Sequence, residues 1–130
     1  MFSLHIDTAR TWRGGQNQAL LTVRGLKAIG QRVALVAHPD GELRKRADDV
    51  EVFPLVPRSE VDFSAGWRLA RLIGRLQPDV IHAHDPHGVA MAGMALSLEA
   101  ASRWKHGRNA PALIASRRVD FHLKANAFSR

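Results

Sequence analysis

The spacing of apolar positions changes repeatedly along the chain. Phe2 to Asp7 is a short apolar-rich run that fits a first strand, and Thr8 to Gly15 is a polar loop ending in a glycine pair. From Gln16 to Ile29 the residues Ala19, Leu20, Val23, Leu26 and Ile29 recur at three- and four-residue steps, which predicts a helix, with Gly30 as its stop. Val33 to Ala37 is apolar throughout and bounded by polar residues, as in a strand covered on both faces of a parallel sheet. The cycle then repeats. Pro39-Asp40-Gly41 signals a turn, Glu42 to Asp48 a short charged helix and Val50 to Leu55 a third strand. Ser64 is the candidate N-cap of a helix whose apolar side is Trp67, Leu69, Leu72, Ile73 and Leu76. Gln77-Pro78 ends it, because a residue before proline avoids helical torsions. Asp79 to Ala83 reads as strand four, Pro86 to Leu98 as a helix of small residues, Trp104 to Pro111 as a basic loop, and Ala112 to Ala115 as strand five. Trp67 and Trp104 read as packing residues.

Strands alternating with helices form βαβ units, whose crossovers are right-handed. The expected architecture is α/β: one Rossmann-like open parallel sheet with helices on both faces, over residues 1–130. Ala125 to Arg130 fall inside what reads as a new helix with no strand after it, so a truncated piece of a longer protein is expected. A chain of 130 residues that is 45% hydrophobic is of ordinary globular composition. The absence of cysteine excludes a disulfide scaffold and thiolate metal ligands, and suits a cytoplasmic protein. No apolar run approaches the roughly 18 residues of a membrane helix, and Met1 to Thr8 does not resemble a signal peptide.

The net charge of +7 is uneven. Residues 1–100 hold 12 basic and 11 acidic side chains. Residues 101–130 hold Arg103, Lys105, Arg108, Arg117, Arg118, Lys124 and Arg130 against Asp120. Such a zone either meets an anionic partner or is a solvated face.

In an open α/β sheet ligands bind at the C-terminal ends of the strands. That rule selects Thr8 to Gly15, His38 to Gly41, His82 to His87 and Ser116 to Asp120. In Trp12-Arg13-Gly14-Gly15-Gln16 a glycine pair at a helix start lets backbone amides approach an anion, and Arg13 adds a charged donor; a plain tight turn is the other reading. The pattern is not the dinucleotide fingerprint G-x-G-x-x-G. His82 and His84 share one face of a strand. His84 is placed nearer the strand end and solvent, and is favoured for a functional role; His82 reads equally well as a hydrogen-bonded core histidine. Adjacent Arg117 and Arg118 make an anion clamp or a loop-holding pair with Asp120 or Asp85.

Together these features resemble the N-terminal domain of retaining family-4 glycosyltransferases, one half of the GT-B fold. The resemblance rests on His5-Ile6-Asp7 followed by Arg13-Gly14-Gly15-Gln16, on Ile29 to Val33 closing the first helix, on Gln77-Pro78-Asp79-Val80-Ile81-His82-Ala83-His84, and on Pro111 to Arg118. It implies transfer of a sugar from a nucleotide-sugar donor to a glycan, lipid-linked or small-molecule acceptor, with retention at the anomeric carbon. It also implies that Gly14, Gly15 and Arg13 approach the donor diphosphate, that His84 lies beside the transferred sugar as the catalytic-site imidazole, and that Asp7, Trp12, Gln16, Asp85, Arg117 and Arg118 face the cleft. The donor is expected to be held mainly by a second domain, so this chain alone is expected to be inactive. Gln31 stands where the family often has histidine, on a solvent-side turn.

Stabilising a leaving diphosphate with helix-start amides and arginines needs no metal, so neither metal nor other cofactor is expected. A basic flank suits a lipid-linked acceptor at an anionic membrane, which would place the protein peripherally on the inner face of the cytoplasmic membrane; a soluble acceptor fits equally. Two other classes remain. One is a metal-dependent hydrolase built on His82, His84, Asp85 and His87. The other is a nucleic-acid module, disfavoured because basic and aromatic residues do not interleave on one strand face.

Overall fold

The computed structural model describes residues 1–58 and 62–116. Five parallel strands form one sheet: β1 (Phe2–Asp7), β2 (Arg32–Ala37), β3 (Val52–Pro54), β4 (Val80–Ala83) and β5 (Ala112–Ala115), in the order β3-β2-β1-β4-β5. The order reverses at β1, so β1 and β4 flank the crevice where such sheets take ligands. Four helices connect them: α1 (Gly14–Ala28), α2 (Glu42–Arg46), α3 (Phe63–Leu76) and α4 (Pro86–Lys105).

Alternation along the central strands divides two layers. Leu4, Ile6, Ala34, Val36 and Ile81 pack beneath α3 and α4 with Leu69, Ile73, Met91 and Ala95. Leu35 and Ala37 face the other way and pack with Leu20 of α1 and Leu43 of α2. All six residues of β1 are buried, as expected for a strand sandwiched between two helical layers. Its polar members Ser3, His5 and Asp7 therefore all lie in the interior, on the α1 side.

Several boundaries differ from the sequence expectation. Helix α1 begins at Gly14, so the glycine pair is its first turn rather than the end of the loop. The N-cap of α3 is Asp62, not Ser64: its Oδ1 accepts the Ala65 N–H at 3.1 Å, the first-turn bond that a cap two residues earlier in the chain can make. Helix α4 runs on to Lys105. The Glu99–Arg103 pair at 2.6 Å spans one helical turn there, so the predicted basic loop starts later. Trp67 and Trp104 are not packed: they are 54% and 87% exposed. On α3 the buried stripe consists of Ala65, Gly66, Leu69, Ala70 and Ile73, which turns Trp67 outward. Arg117 and Arg118, with the remainder of the chain, lie outside the described residues.

Candidate functional site

The site is built from the C-terminal tips of β1 and β4. His5 pairs with His82 and Ile6 with Ala83 across the two strands, and the His84 N–H donates to the Ile6 carbonyl at 2.8 Å. Continuing that register sets Asp7 beside His84, on the face already occupied by His5 and His82.

Two helix starts are tied to this point. Gln16 Nε2 donates to both carboxylate oxygens of Asp7 at 3.2 Å, while its Oε1 accepts the Arg13 N–H at 3.1 Å. Gln16 thus closes the first turn of α1 onto the β1 tip, as the third-residue half of a capping box does. On the other side, Asp85 caps α4: Oδ1 accepts the Gly88 N–H at 3.0 Å and Oδ2 accepts the Thr8 hydroxyl at 3.1 Å. Burial pushes the Asp85 carboxyl above its ordinary range, opposed by these hydrogen bonds.

Gly14 is open: a Cβ there would meet no atom within 4 Å among the described residues. Its φ is not left-handed either, so neither packing nor backbone strain requires glycine at this helix position, where glycine disfavours the helix by about 1 kcal/mol. Free space above first-turn amides is what an anion site needs. Arg13 is exposed beside it. Trp12 is half-buried; it packs against the α2 layer, with the Arg46 guanidinium 4.2 Å above its ring.

The histidines are arranged otherwise than expected. His84 is 3% exposed, whereas His82 is the half-buried one. Both rings lie on the same face of β4, and His82 is the one registered with the edge strand β5, whose residues are exposed. His5, which sequence reasoning passed over, completes the group. Its Nδ1 lies 3.0 Å from His84 Nε2, its Nε2 lies 2.9 Å from Ser3 Oγ, and the His82 and His84 rings stack at 3.8 Å. His82 Nε2 lies 2.5 Å from Ser116 Oγ. Burial, and secondarily the charge His82 can carry, push the His5 pKa down to about 4. A signal existed: Ser3, His5 and Asp7 alternate with Leu4 and Ile6, three polar residues on one face of a strand that is otherwise apolar.

The structure therefore brings Asp7, Gln16, Gly14, His84 and Asp85 to one edge of the sheet. It does not assemble the hydrolase set: Asp85 is engaged as a helix cap and His87 is exposed on α4.

The architecture recurs in solved glycosyltransferases. MurG from Acinetobacter baumannii superposes with a TM-score of 0.63 at 14% identity, over 95% of this chain and 38% of that one. HepE from Anabaena, solved with UDP-glucose, gives 0.65 at 11% identity, over 88% and 28%. The lipopolysaccharide outer core galactosyltransferase WaaB gives 0.63 at 8% identity, over 88% and 32%. No curated protein is similar enough in sequence to count as a relative. The fold is thus that of a GT-B glycosyltransferase domain, and the chain spans roughly a third of the length of these proteins. Residues 12–122 match the family described as Glycosyltransferase Family 4, and the chain belongs to that family. The hydrolase reading gains nothing from these likenesses.

Proposed function

We propose that this chain is the acceptor-side domain of an enzyme that transfers a sugar from a nucleotide-sugar donor to an acceptor with retention at the anomeric carbon. The observation that carries the reading is the shared anchoring of the open α1 start and of His84 on the tip of β1, through Asp7–Gln16 and through the β1–β4 register. First-turn amides at Gly14 and Gly15, with Arg13, stabilise charge as the diphosphate leaves. His84, held against His5 on the floor of the site, lies beside the transferred sugar. In this scheme no metal takes part in the transfer. HepE has been solved with UDP-glucose and VinC with dTDP, which supports a nucleotide-sugar donor, held mainly by residues outside this chain.

An acceptor at an anionic membrane, with the enzyme bound peripherally on its cytoplasmic side, is the second part of the proposal. No helix among the described residues is long and apolar enough to cross a membrane. Helix α3, however, exposes Phe63 (67%) and Trp67 (54%) together with Arg68 and Arg71. With Arg75, these arginines line a 410 Å³ groove floored by Val36, Phe53 and Leu55. Aromatic side chains beside arginines match an interface rich in acidic headgroups. In the C-terminal basic zone, by contrast, Arg103 and Arg108 are engaged by Glu99.

The test uses the longer enzyme carrying this chain, with UDP- and dTDP-sugars as donors and the product anomer read by NMR. Donor-dependent transfer with retention is expected. His84→Ala should lower kcat by about 10²-fold or more, and Gly15→Val should raise the donor KM. Inversion, or kcat unchanged in His84→Ala, overturns the reading. Flotation with phosphatidylglycerol vesicles, lost on neutral vesicles and in Trp67→Ser/Arg71→Gln, tests the membrane part.

A further inference from the structure

The cluster under the β1 and β4 tips has a property that sugar transfer does not call on. One nitrogen each from His5, His82 and His84 lies within 4.8 Å of the others. Three imidazoles are the ligand set of open zinc sites, which leave the fourth position to water or an exogenous group. The backbone dictates the convergence: His82 and His84 are two apart on one strand, and His5 is the registered neighbour of His82 on the adjacent parallel strand.

We infer that His5, His82 and His84 form a binding site for a borderline divalent transition-metal ion of the zinc class. A tetrahedral ion with metal–nitrogen bonds of about 2.0–2.1 Å holds its ligand nitrogens about 3.3 Å apart. His5 Nδ1 and His84 Nε2 stand 3.0 Å apart, close to that spacing, and turning the His82 ring out of its stack on His84 brings the third nitrogen to the ion.

The surroundings complete the requirements. Ser3 Oγ contacts His5 Nε2 and Ser116 Oγ contacts His82 Nε2, the outer hydrogen bonds that orient metal-bound imidazoles. They also settle the proton balance. In the metal-free cluster one proton sits in the His5–His84 contact. On metal binding that proton leaves the coordinating nitrogens: from His5 Nδ1 it moves to His5 Nε2, where Ser3 Oγ turns from donor to acceptor, and from His84 Nε2 it moves to His84 Nδ1. Both rings stay neutral, and the His5–His84 hydrogen bond is replaced by the two metal–nitrogen bonds. Ions reach the cluster from the β5 side, where His82 is half-buried and the strand's side chains are exposed. Nitrogen ligands favour Zn²⁺, Ni²⁺ and Cu²⁺ over Mg²⁺. The inference shares His84 with the transfer reading but does not rest on it, since the test reads metal binding and not transfer.

The test is calorimetric titration of the metal-freed chain with Zn²⁺, with Co²⁺ as a spectroscopic probe. One equivalent should bind, with the intense visible band of tetrahedral cobalt, and Mg²⁺ should not compete. His82→Ala, at the half-exposed position, should weaken binding at least 10-fold while circular dichroism confirms folding. Ser116→Ala should weaken it by up to about 10-fold, the lower range for an outer-shell partner. His87→Ala and His106→Ala should leave it unchanged. No binding by folded wild-type chain at 100 µM Zn²⁺ overturns the inference, as does binding that survives in His82→Ala or disappears in His87→Ala or His106→Ala.

Discussion

Two glycines in the same helix should respond to alanine in opposite directions. Gly88 is the third residue of α4, and a Cβ there would sit 2.5 Å from Asp85 Oδ1, 3.1 Å from Ile6 Cγ2 and 3.2 Å from the Ile6 carbonyl oxygen. The first of these atoms accepts the Gly88 N–H, so the methyl displaces the cap of α4. The other two belong to β1, which is hydrogen-bonded on both sides by β2 and β4 and has little room to shift. Losing the cap costs about 1 kcal/mol. Forcing a methyl against fixed backbone costs about 1–3 kcal/mol. Up to about 1 kcal/mol is returned by alanine's helix propensity, leaving Gly88→Ala about 1–3 kcal/mol less stable. Gly93, about one and a half turns on, has nothing within 4 Å of the corresponding position, so Gly93→Ala should gain up to about 1 kcal/mol. For a domain of this size these become a fall of about 4–11 °C in Tm and a rise of up to about 4 °C. Urea and thermal unfolding followed by circular dichroism measure both. Equal stabilities, or Gly93→Ala as the more damaging change, would refute the close approach of α4 to β1 on which the site geometry rests.

Glu99 on α4 is buried against Arg103 at 2.6 Å, with Arg108 at 3.8 Å. Glu99→Gln removes the carboxylate that, among the described residues, offsets the Arg103 and Arg108 guanidiniums, and should lower stability by about 2–3 kcal/mol, below the roughly 3–5 kcal/mol of a fully buried pair because both guanidiniums keep some solvent contact; a change under about 0.5 kcal/mol in urea titration contradicts this. Acid should destabilise the metal-free chain, measured in chelator, through His5. Its folded pKa of about 4 lies below the ordinary 6.5, so the unfolded chain binds the extra proton between those values. The cost is nil above pH 6.5, grows as pH falls toward 4 and is complete below it, reaching about 3 kcal/mol. His5→Gln should flatten that part of the Tm–pH curve, and an unchanged slope would show that His5 does not titrate as its burial requires.

The strands were legible because each is a short apolar run bounded by punctuation, and a parallel sheet buries such runs on both faces. The ends of the helices were less legible. Asp62 outcompeted Ser64 as a cap because a carboxylate two residues earlier reaches the Ala65 amide, a choice between two good caps that local pattern leaves open. Helix α4 extended through Lys105 because a buried ion pair stabilises a turn whose residues read as polar loop. Trp67 was misplaced because its spacing fits the apolar stripe of α3 nearly as well as Leu69 does; the helix azimuth is set by Gly66, which meets Met94 of α4 and turns Trp67 outward. At the site, Gly14 and the H-x-H strand were visible as interruptions of apolar runs. The part played by His5 was not, since it depends on which strand lies beside β1 and in what register, a tertiary fact that strand order alone supplies.

The two acidic residues first assigned to the cleft carry a different load. Asp7 holds α1 through Gln16, and Asp85 caps α4 while accepting from Thr8. Both helix starts are therefore referenced to one two-residue step, Asp7-Thr8, rather than to each other. Residues 9–13 then form a loop whose ends are fixed at Thr8 and at Gln16, so the loop can vary in composition without moving either helix. At the start of α1, the residues whose side-chain positions carry no such duty are the open Gly14 and the exposed Arg13. This division explains why the carboxylates at the strand tips are buried: they hold the frame. Donors from the backbone and from arginine, the groups on which the proposed diphosphate contact rests, are left at the surface.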